Sequence, residues 1–550
     1  MNSYKELADL MFPNITKTVE EIENQFPERE GEKGKFVTRF APSPTGYMHI
    51  GGLYVSLINK GVAKQHNGTF YLRIEDTDQS RKLDNGVTEI INTLKNYDIS
   101  FDEGPIDEIN DRGNYGSYRQ SERKDIYQTY AKFMVENNLA YPCFCSKEEL
   151  DEIRETQTKE KSSMLGYGGK YAKCRFLTPE QAIEKIKNGE KFVVRYRSPI
   201  TDFQRVTVED IVRGKIEMED NNIDIVIIKS DGLPTYHFAH VIDDHLMHTT
   251  HVIRADEWIA SLPLHVQMFK ILNFKVPKYA HVCPILKMDG TSKRKLSKRK
   301  DPEARVGFYF EQGYPTVAVN EYLLNLINSR FEMWRKQNPN VSYKDFEVKL
   351  SEMNASGALF DFLKLENISK KIIKSMSNEE VFNSVLFWAQ QNSKSLENII
   401  EYNSEKFKNS IAIWHENRMD IAKWSEIEPK FDYLYNQNFN LHLTDETQPY
   451  FNMKFVKEIL SDYVLLNLEN ADSSAWFESV KSIAEKYNYA TNTKEYKLNP
   501  ENYNGSIIDV TTFIRIALTG KKDSPDILQI SKFIGLDEAK NRIQKAISLL

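Results

Sequence analysis

The sequence predicts an α/β protein built on a doubly wound parallel sheet, interrupted by an insertion and followed by a mainly α-helical region. Three observations carry this. From Lys35 short apolar runs alternate with helix-like runs, as FVTRF, LYVSLINKGVAKQHNG, TFYLRIEDTD and GVTEIINTLKNYDI. Strand–helix alternation is the signature of such a sheet. Between about residues 115 and 225 the rhythm breaks. Beyond about residue 360 the chain turns charged and Asn/Lys-rich, with helical apolar spacing in KSMSNEEVFNSVLFWAQQ and ILQISKFIGLDEAKNRIQKAISLL.

The elements follow in order. Residues 1–34 are polar and acidic, end in PEREGEKGK, and read as a helix plus a flexible lead. FVTRF is a buried strand and SPTGYMHIGG is the loop after it. The next helix carries Leu53, Leu57 and Val62 near one face, with Gly68 after its end. TFYLRIEDTD is a second strand with an acidic tail. The insertion holds YRQSERKDIYQTYAKFMVENN, a cysteine-bearing segment and strand-like KFVVRYR. Residues 224–258 read as short buried strands and polar loops, where the core sheet resumes.

Length and composition bound the function. A chain of 550 residues exceeds one hydrophobic core. With 40% hydrophobic and 28% charged residues it reads as an ordinary soluble globular protein. No apolar run approaches a membrane span, and MNSYKELADLMFPN fits neither a secretory signal nor a transit peptide, so the cytoplasm is expected. Four cysteines argue against a disulfide scaffold. The net charge of −6 argues against a general nucleic-acid coat but leaves room for a basic face.

Two segments carry chemistry. The loop of Gly46, His49, Gly51 and Gly52 sits between a strand and a helix, where ligands of parallel sheets bind. Free N–H groups at a helix start suit phosphate. The loop matches neither a dinucleotide fingerprint nor a P-loop, and an ordinary tight turn with an incidental histidine is the plainer alternative. The second segment, TSKRKLSKRK (291–300), holds six basic residues in ten. It reads as a solvated basic loop, a nucleic-acid patch, or a mobile loop closing on a triphosphate. A fixed loop and a mobile one, about 245 residues apart, suit adenylyl transfer.

PTGYMHIGGL resembles the "HIGH" signature of class I aminoacyl-tRNA synthetases, and KLSK (295–298) their "KMSKS" signature. RFAPSPTG, YLRIEDTD, YRQSER, SDGLPTYHFAHVIDDHLM, VIRADEW and KLSKRK together resemble bacterial-type glutamyl-tRNA synthetases, densely over residues 35–360 and again in RIALTGKKDSPDILQISKFIG. Two departures are Gly52 in place of the second signature histidine and KLSKR in place of KMSKS. The resemblance implies a Rossmann-like catalytic domain in two halves (35–114 and 226–275) and an inserted acceptor-stem-binding domain (115–225). It also implies a KLSKR loop with a connecting domain (276–360) and an α-helical anticodon-binding region (361–550), behind an N-terminal extension (1–34).

The implied reaction is two-step ligation of L-glutamate to tRNA-Glu through glutamyl-adenylate, with ATP and Mg²⁺. Catalysis is then positioning and charge stabilisation. Arg39, Tyr236 and Arg254 fall where the family binds the side-chain carboxylate, Glu75 where it binds the ammonium, with Ser43 beside it. His49, Gly51 and Gly52 fall at the ATP phosphates, with Lys295, Ser297 and Lys298 closing from the loop; His49, Lys295 and Lys298 are the expected catalytic groups. Glu257 and Trp258 shape the pocket. Read without the family, Arg39 and Glu75 would simply pair with each other, and His240 would be a structural histidine or a tuner of the pocket.

Cys143, Cys145 and Cys174 suit zinc or inert buried thiols. The family knuckle has a tyrosine four residues before its last cysteine; here Tyr171 lies three before Cys174 and Tyr167 seven before. Tyr171 is taken as the fourth ligand. Arg119, Arg123 and Lys124 are expected as a basic edge for the acceptor stem. A monomer free of membrane is expected. The competing readings are a glutaminyl-tRNA synthetase, which would carry β-barrels beyond residue 360, and a non-catalytic RNA-binding protein on the same fold.

Overall fold

The computed structural model describes residues 3–31, 34–162, 165–200, 203–415, 421–435 and 439–550. The chain divides into two units, Met1–Tyr309 with Asn320–Asp361, and Phe310–Val319 with Phe362–Leu550.

The first unit opens with α1 (Ser3–Met11) and α2 (Val19–Glu23). The expected helix is present, but the segment after it is packed and is no flexible lead. Leu7, Ala8, Met11, Phe12, Ile15, Ile22 and Phe26 are all buried in the unit's main hydrophobic core. The apolar positions 7, 8 and 11 fall on one helix face, and that face finds a partner only in the folded chain.

β1 (Val37–Phe40) pairs in parallel with β2 (Thr69–Leu72), with Val37 opposite Thr69 and Phe40 opposite Leu72. α3 (Ile50–Gln65) crosses between them, burying Leu53, Leu57 and Val62 as the sequence predicts. Gly68, before β2, has a positional reason: a Cβ there would lie 1.8 Å from the Phe36 carbonyl oxygen. α4 (Gly86–Asn96) follows.

The insertion begins with α5 (Lys124–Glu136) and β3 (Ala140–Cys143), followed by β4 (Val193–Tyr196). A hairpin of β5 (Arg205–Asp210) and β6 (Gly214–Glu219) comes next, then β7 (Val226–Ile228). β3, β4 and β7 form an antiparallel sheet. The sequence reading of 224–258 as strands and loops is corrected here: Tyr236–Leu246 is a helix, α6, burying Phe238, Ala239, Val241, Ile242 and Leu246. Those spacings suit a helix better than an alternating strand.

β8 (His251–Ala255) and β9 (Lys278–Val282) flank α7 (Leu262–Ile271) and pair in parallel, with Arg254 opposite His281. β9 also meets the end of β5, with Tyr279 opposite Asp210. The Thr250 amide donates to the Val37 carbonyl at 3.0 Å, and the Asn59 side chain donates to the Ile253 carbonyl at 3.2 Å. These bonds set β8 beside β1 and α3, so the strand ends gather at one mouth. The hairpin of β10 (Ile285–Asp289) and β11 (Ser292–Lys295) leads into the basic loop.

In the second unit helices predominate. One cluster gathers Trp388, Trp414 and Phe431, and another gathers Ile459, Val480, Phe513 and Ile543. No strand lies within residues 362–550 among the described residues. Nor is any described helix long and apolar enough to cross a membrane.

Candidate active site

A cavity of about 500 Å³ opens where β1, β8 and β9 end. It is lined by Arg39, Ser43, His49, Gly51, Gly52, Glu75, Tyr236, Arg254, Glu257, Trp258, Lys295 and Lys298, among others. Apart from Gly46 and Ser297, every amino-acid or nucleotide residue taken from the sequence therefore faces one space. The Ser297 amide donates to Asp301 at 2.9 Å, and its hydroxyl accepts from the Arg299 amide at 3.4 Å. Its bonds close the loop onto itself.

His49 caps α3. Its Nδ1 accepts the Gly51 amide at 2.9 Å, and its Nε2 lies 3.3 Å from the Leu296 carbonyl oxygen. An accepting Nδ1 puts the proton on Nε2, so the ring donates toward the basic loop. Burial lowers its pKa, with Lys298 and Lys295 adding to the effect against the Leu296 hydrogen bond. Gly46 sits at φ +148°, which a side chain would rarely adopt.

The basic loop closes over this turn. Lys298 Nζ donates to the Tyr47 carbonyl, and Lys295 Nζ pairs with Glu257. Asp301 braces the loop from behind, accepting from Arg294 and the Ser297 amide; the Arg294 guanidinium holds it well below the usual carboxylate range.

The arginines differ in their partners. Arg39 does not pair with Glu75. It donates to Asp244 at 3.2 and 3.3 Å, while Arg73 donates to Asp244 at 2.7 Å and to Glu75 at 3.1 Å. Burial raises the pKa of Glu75 against the pull of Arg73 and Arg39. Arg254 instead meets His281, His265, the Tyr236 hydroxyl and the Trp258 carbonyl. Tyr236 stands against Trp258, ring centroids 4.2 Å apart, and forms an aromatic wall. His240 Nδ1 lies 2.8 Å from Asp244 Oδ2, and its Nε2 lies 3.1 Å from the Tyr279 hydroxyl; burial pushes this histidine down to about 3. The sequence reading missed Arg73, Asp210, Asp244, His265 and His281. Arg73 and Asp244 lie inside quoted motifs but were not singled out there, and Asp210, His265 and His281 lie outside any motif; the pairings Arg39–Asp244, Arg73–Asp244 and Arg254–His281 join residues distant in the chain.

The family profile described as "tRNA synthetases class I (E and Q), catalytic domain" matches residues 35–354. The chain belongs to this family. A second profile, "Anticodon binding domain", matches residues 500–547. A glutamate–tRNA ligase of Clostridium perfringens strain SM101 is 44% identical over 552 residues, covering 100% of both chains. One of Clostridium beijerinckii is also 44% identical, over 553 residues. The crystal structure of a glutamate tRNA ligase from Elizabethkingia meningosepticum, in complex with its amino acid, superposes with a TM-score of 0.73 at 27% identity. It covers 94% of this chain and 99% of that one.

Two expectations about the insertion of this synthetase are corrected. Arg119 and Arg123 form no exposed basic edge; each is 1% exposed. Arg119 pairs with Asp111 and Arg123 with Asp243 of α6, and Lys124 donates to the Asp231 carbonyl. Of the three, Arg123 ties the insertion to the helix carrying Tyr236. The second correction concerns the cysteines. Cys143, Cys145 and Cys174 place their sulfurs within 4.8 Å of one another. The tyrosine beside them is Tyr167, its hydroxyl 3.2 Å from Cys145 Sγ; the Tyr171 hydroxyl donates to Glu160 instead. The Cys145–Cys174 sulfur separation of 3.6 Å is close to the edge of about 3.8 Å of a tetrahedron with Zn–S bonds of about 2.3 Å. The donor set fits zinc.

Proposed function

We propose that this synthetase joins L-glutamate to tRNA-Glu by way of glutamyl-adenylate at the cavity described above. The observation that carries the reading is the convergence of the His49 turn and the Lys295–Lys298 loop on one cavity, beside Arg254. In the first step a carboxylate oxygen of glutamate attacks the α-phosphorus of ATP and pyrophosphate leaves. In the second a terminal ribose hydroxyl of the tRNA attacks the acyl carbon and AMP leaves. No protein nucleophile is required.

Each residue then has a role. Arg254, Arg39 and Tyr236 receive the side-chain carboxylate, and Glu75 receives the ammonium with Ser43 beside it. His49 offers its Nε2–H to a phosphate oxygen. Lys295 and Lys298 exchange their present acceptors, Glu257 and the Tyr47 carbonyl, for the triphosphate and the leaving pyrophosphate. Gly51 and Gly52 admit the nucleotide to the helix start. Mg²⁺ enters as the counter-ion of ATP. Cys143, Cys145, Cys174 and Tyr167 would hold zinc, which would cross-link the insertion and take no part in the chemistry. The helical residues 361–550 read the anticodon, which disfavours a glutaminyl enzyme with β-barrels there. The cytoplasm and a monomeric state complete the reading.

Glutamate-dependent ATP–pyrophosphate exchange, run with and without tRNA-Glu, tests it; aminoacylation of tRNA-Glu and tRNA-Gln side by side sets the range of substrates. Absence of exchange under both conditions would sink the catalytic reading. Elemental analysis of gently purified protein is expected to return about one zinc per chain, and the Cys145→Ser variant much less. Zinc-free native protein would leave the thiols as buried structural groups.

A further inference from the structure

The buried arginines around the site are not alike. Arg39 meets Asp244, Arg73 meets Asp244 and Glu75, and Arg123 meets Asp243. Arg254 is 5% exposed, yet among the described residues its side chain hydrogen-bonds to no carboxylate. Its Nε–H donates to His281 Nε2 at 2.9 Å. Its two Nη atoms each lie 3.3 Å from His265 Nδ1, with the Tyr236 hydroxyl and the Trp258 carbonyl as further partners.

A guanidinium only donates, so each facing imidazole nitrogen presents a lone pair. The partners behind the rings agree. His281 Nδ1 lies 2.7 Å from Asp210 Oδ2, which draws the ring proton to Nδ1 and frees Nε2 to accept. With Arg254 donating to Nδ1, the His265 proton sits on Nε2, which lies 2.9 Å from His237 Nδ1, an atom able to accept it. Burial lowers the pKa of both rings, favouring the neutral form. A buried cation without a counter-charge is costly. Here the cost is accepted at one residue of the cavity wall, while every arginine around it is paired.

We propose that His281 and His265, with Asp210 behind His281, are positioning residues of the amino-acid site: they hold Arg254 as neutral hydrogen-bond acceptors and so leave its charge for the substrate carboxylate. The proposal rests on the reading of Arg254 as a carboxylate receiver. A carboxylate in either place would orient the guanidinium equally well but would compete with substrate for it. Water would leave it mobile.

The test uses two amides in opposite roles. A Gln carbonyl oxygen reaches where His Nε2 stands, and an Asn carbonyl oxygen where His Nδ1 stands. Because Arg254 meets Nε2 of His281 but Nδ1 of His265, His281→Gln and His265→Asn keep the acceptor, whereas His281→Asn and His265→Gln misplace it. In aminoacylation at saturating ATP and tRNA-Glu, the misplaced pair should raise KM for glutamate about tenfold or more. Their kcat and KM for ATP should change much less, and the matched pair should stay within about threefold of the parent in all three constants. Opposite preferences at the two sites are what a merely structural role would not produce. Equal KM values for Gln and Asn at each site, or parallel loss of kcat and melting temperature in all four variants, would overturn the proposal. Arg254→Lys in the same assay separates the two levels. If it leaves KM for glutamate unchanged, the carboxylate reading fails and the proposal with it; if it raises KM while the histidine variants do not, only the proposal fails.

Discussion

Lys298 shows what a single residue is asked to do. Its Nζ rests on the Tyr47 carbonyl, two residues before His49. Burial lowers its pKa, so the charge is held where a stronger partner would be welcomed. Lys298→Ala is expected to slow adenylate formation about a hundredfold to a thousandfold, as losing one preorganised donor does. The KM for glutamate should barely move, because the lysine faces the phosphates. Single-turnover kinetics decide it; an unchanged rate with an altered KM for glutamate would contradict the assignment. At this scale the sequence was legible where chemistry sits in a motif. His49, Lys295 and Lys298 come from signatures, and Arg39, Glu75 and Arg254 from the residues around them. Their partners were not legible. Asp244 lies 205 positions from Arg39 and His281 lies 27 from Arg254, and no local pattern announces such pairs. Ser297 shows the reverse: a signature residue whose bonds serve the loop itself.

At the scale of elements, a helix near the N-terminus is legible in the sequence, but the packing of the segment after it is not, because α1 and α2 have only 9 and 5 residues. Helices so short have little stability alone and depend on packing. The structure supplies that packing at the far end of α6. Arg29 makes a two-pronged pair with Glu103 at 2.7 and 2.8 Å and donates to the Met247 carbonyl at 3.1 Å. His248 lies 2.9 Å from the Phe26 carbonyl oxygen, and Glu23 meets His245 at 2.9 Å. The segment therefore braces the helix whose other end carries Tyr236. Arg29→Ala should destabilise the first unit by about 2–4 kcal/mol, since Glu103 keeps its charge in a largely buried setting. Chemical denaturation of parent and variant measures it; a loss below about 0.5 kcal/mol would show the pair to be idle. Glu23 adds a pH dependence. Burial raises its pKa, but hydrogen bonds from His245 and Tyr130 outweigh that and leave it lowered from 4.5. A depressed carboxylate contributes stability above its unfolded pKa and loses it as pH falls through the folded value. Glu23→Gln should therefore destabilise at pH 7 by a small amount, since the group is partly exposed, and the gap to the parent should narrow as pH falls below 4.5 and through the lowered folded value.

At the scale of the whole molecule, the chain passes between its two units three times, at 309/310, 319/320 and 361/362. A cut after Asp361 would therefore not release a self-sufficient catalytic piece, because Phe310–Val319 is seated in the helical unit. The Trp388 indole donates to the Phe310 carbonyl at 2.8 Å, the Trp424 amide donates to the Gly313 carbonyl at 2.9 Å, and the Ser425 hydroxyl donates to the Gln312 carbonyl at 2.7 Å. Tyr314 is 3% exposed in that seat. A fragment of residues 1–361 loses all three bonds and uncovers Phe310 and Tyr314 together. It is expected to aggregate at a lower temperature than the full chain. Poor behaviour of a fragment has many causes, so a point change isolates the seat. Gly313 sits at φ +84°, and a Cβ there would stand 2.8 Å from the Trp424 amide nitrogen. Gly313→Ala in the full chain should cost about 1–3 kcal/mol from backbone strain alone, with the clash adding to it. Calorimetry should show the loss in the helical unit's transition, while ATP–pyrophosphate exchange at 25 °C stays near the parent's rate. An unshifted transition in Gly313→Ala, together with a 1–361 fragment as heat-stable as the full chain, would mean that these ten residues are only a passing linker.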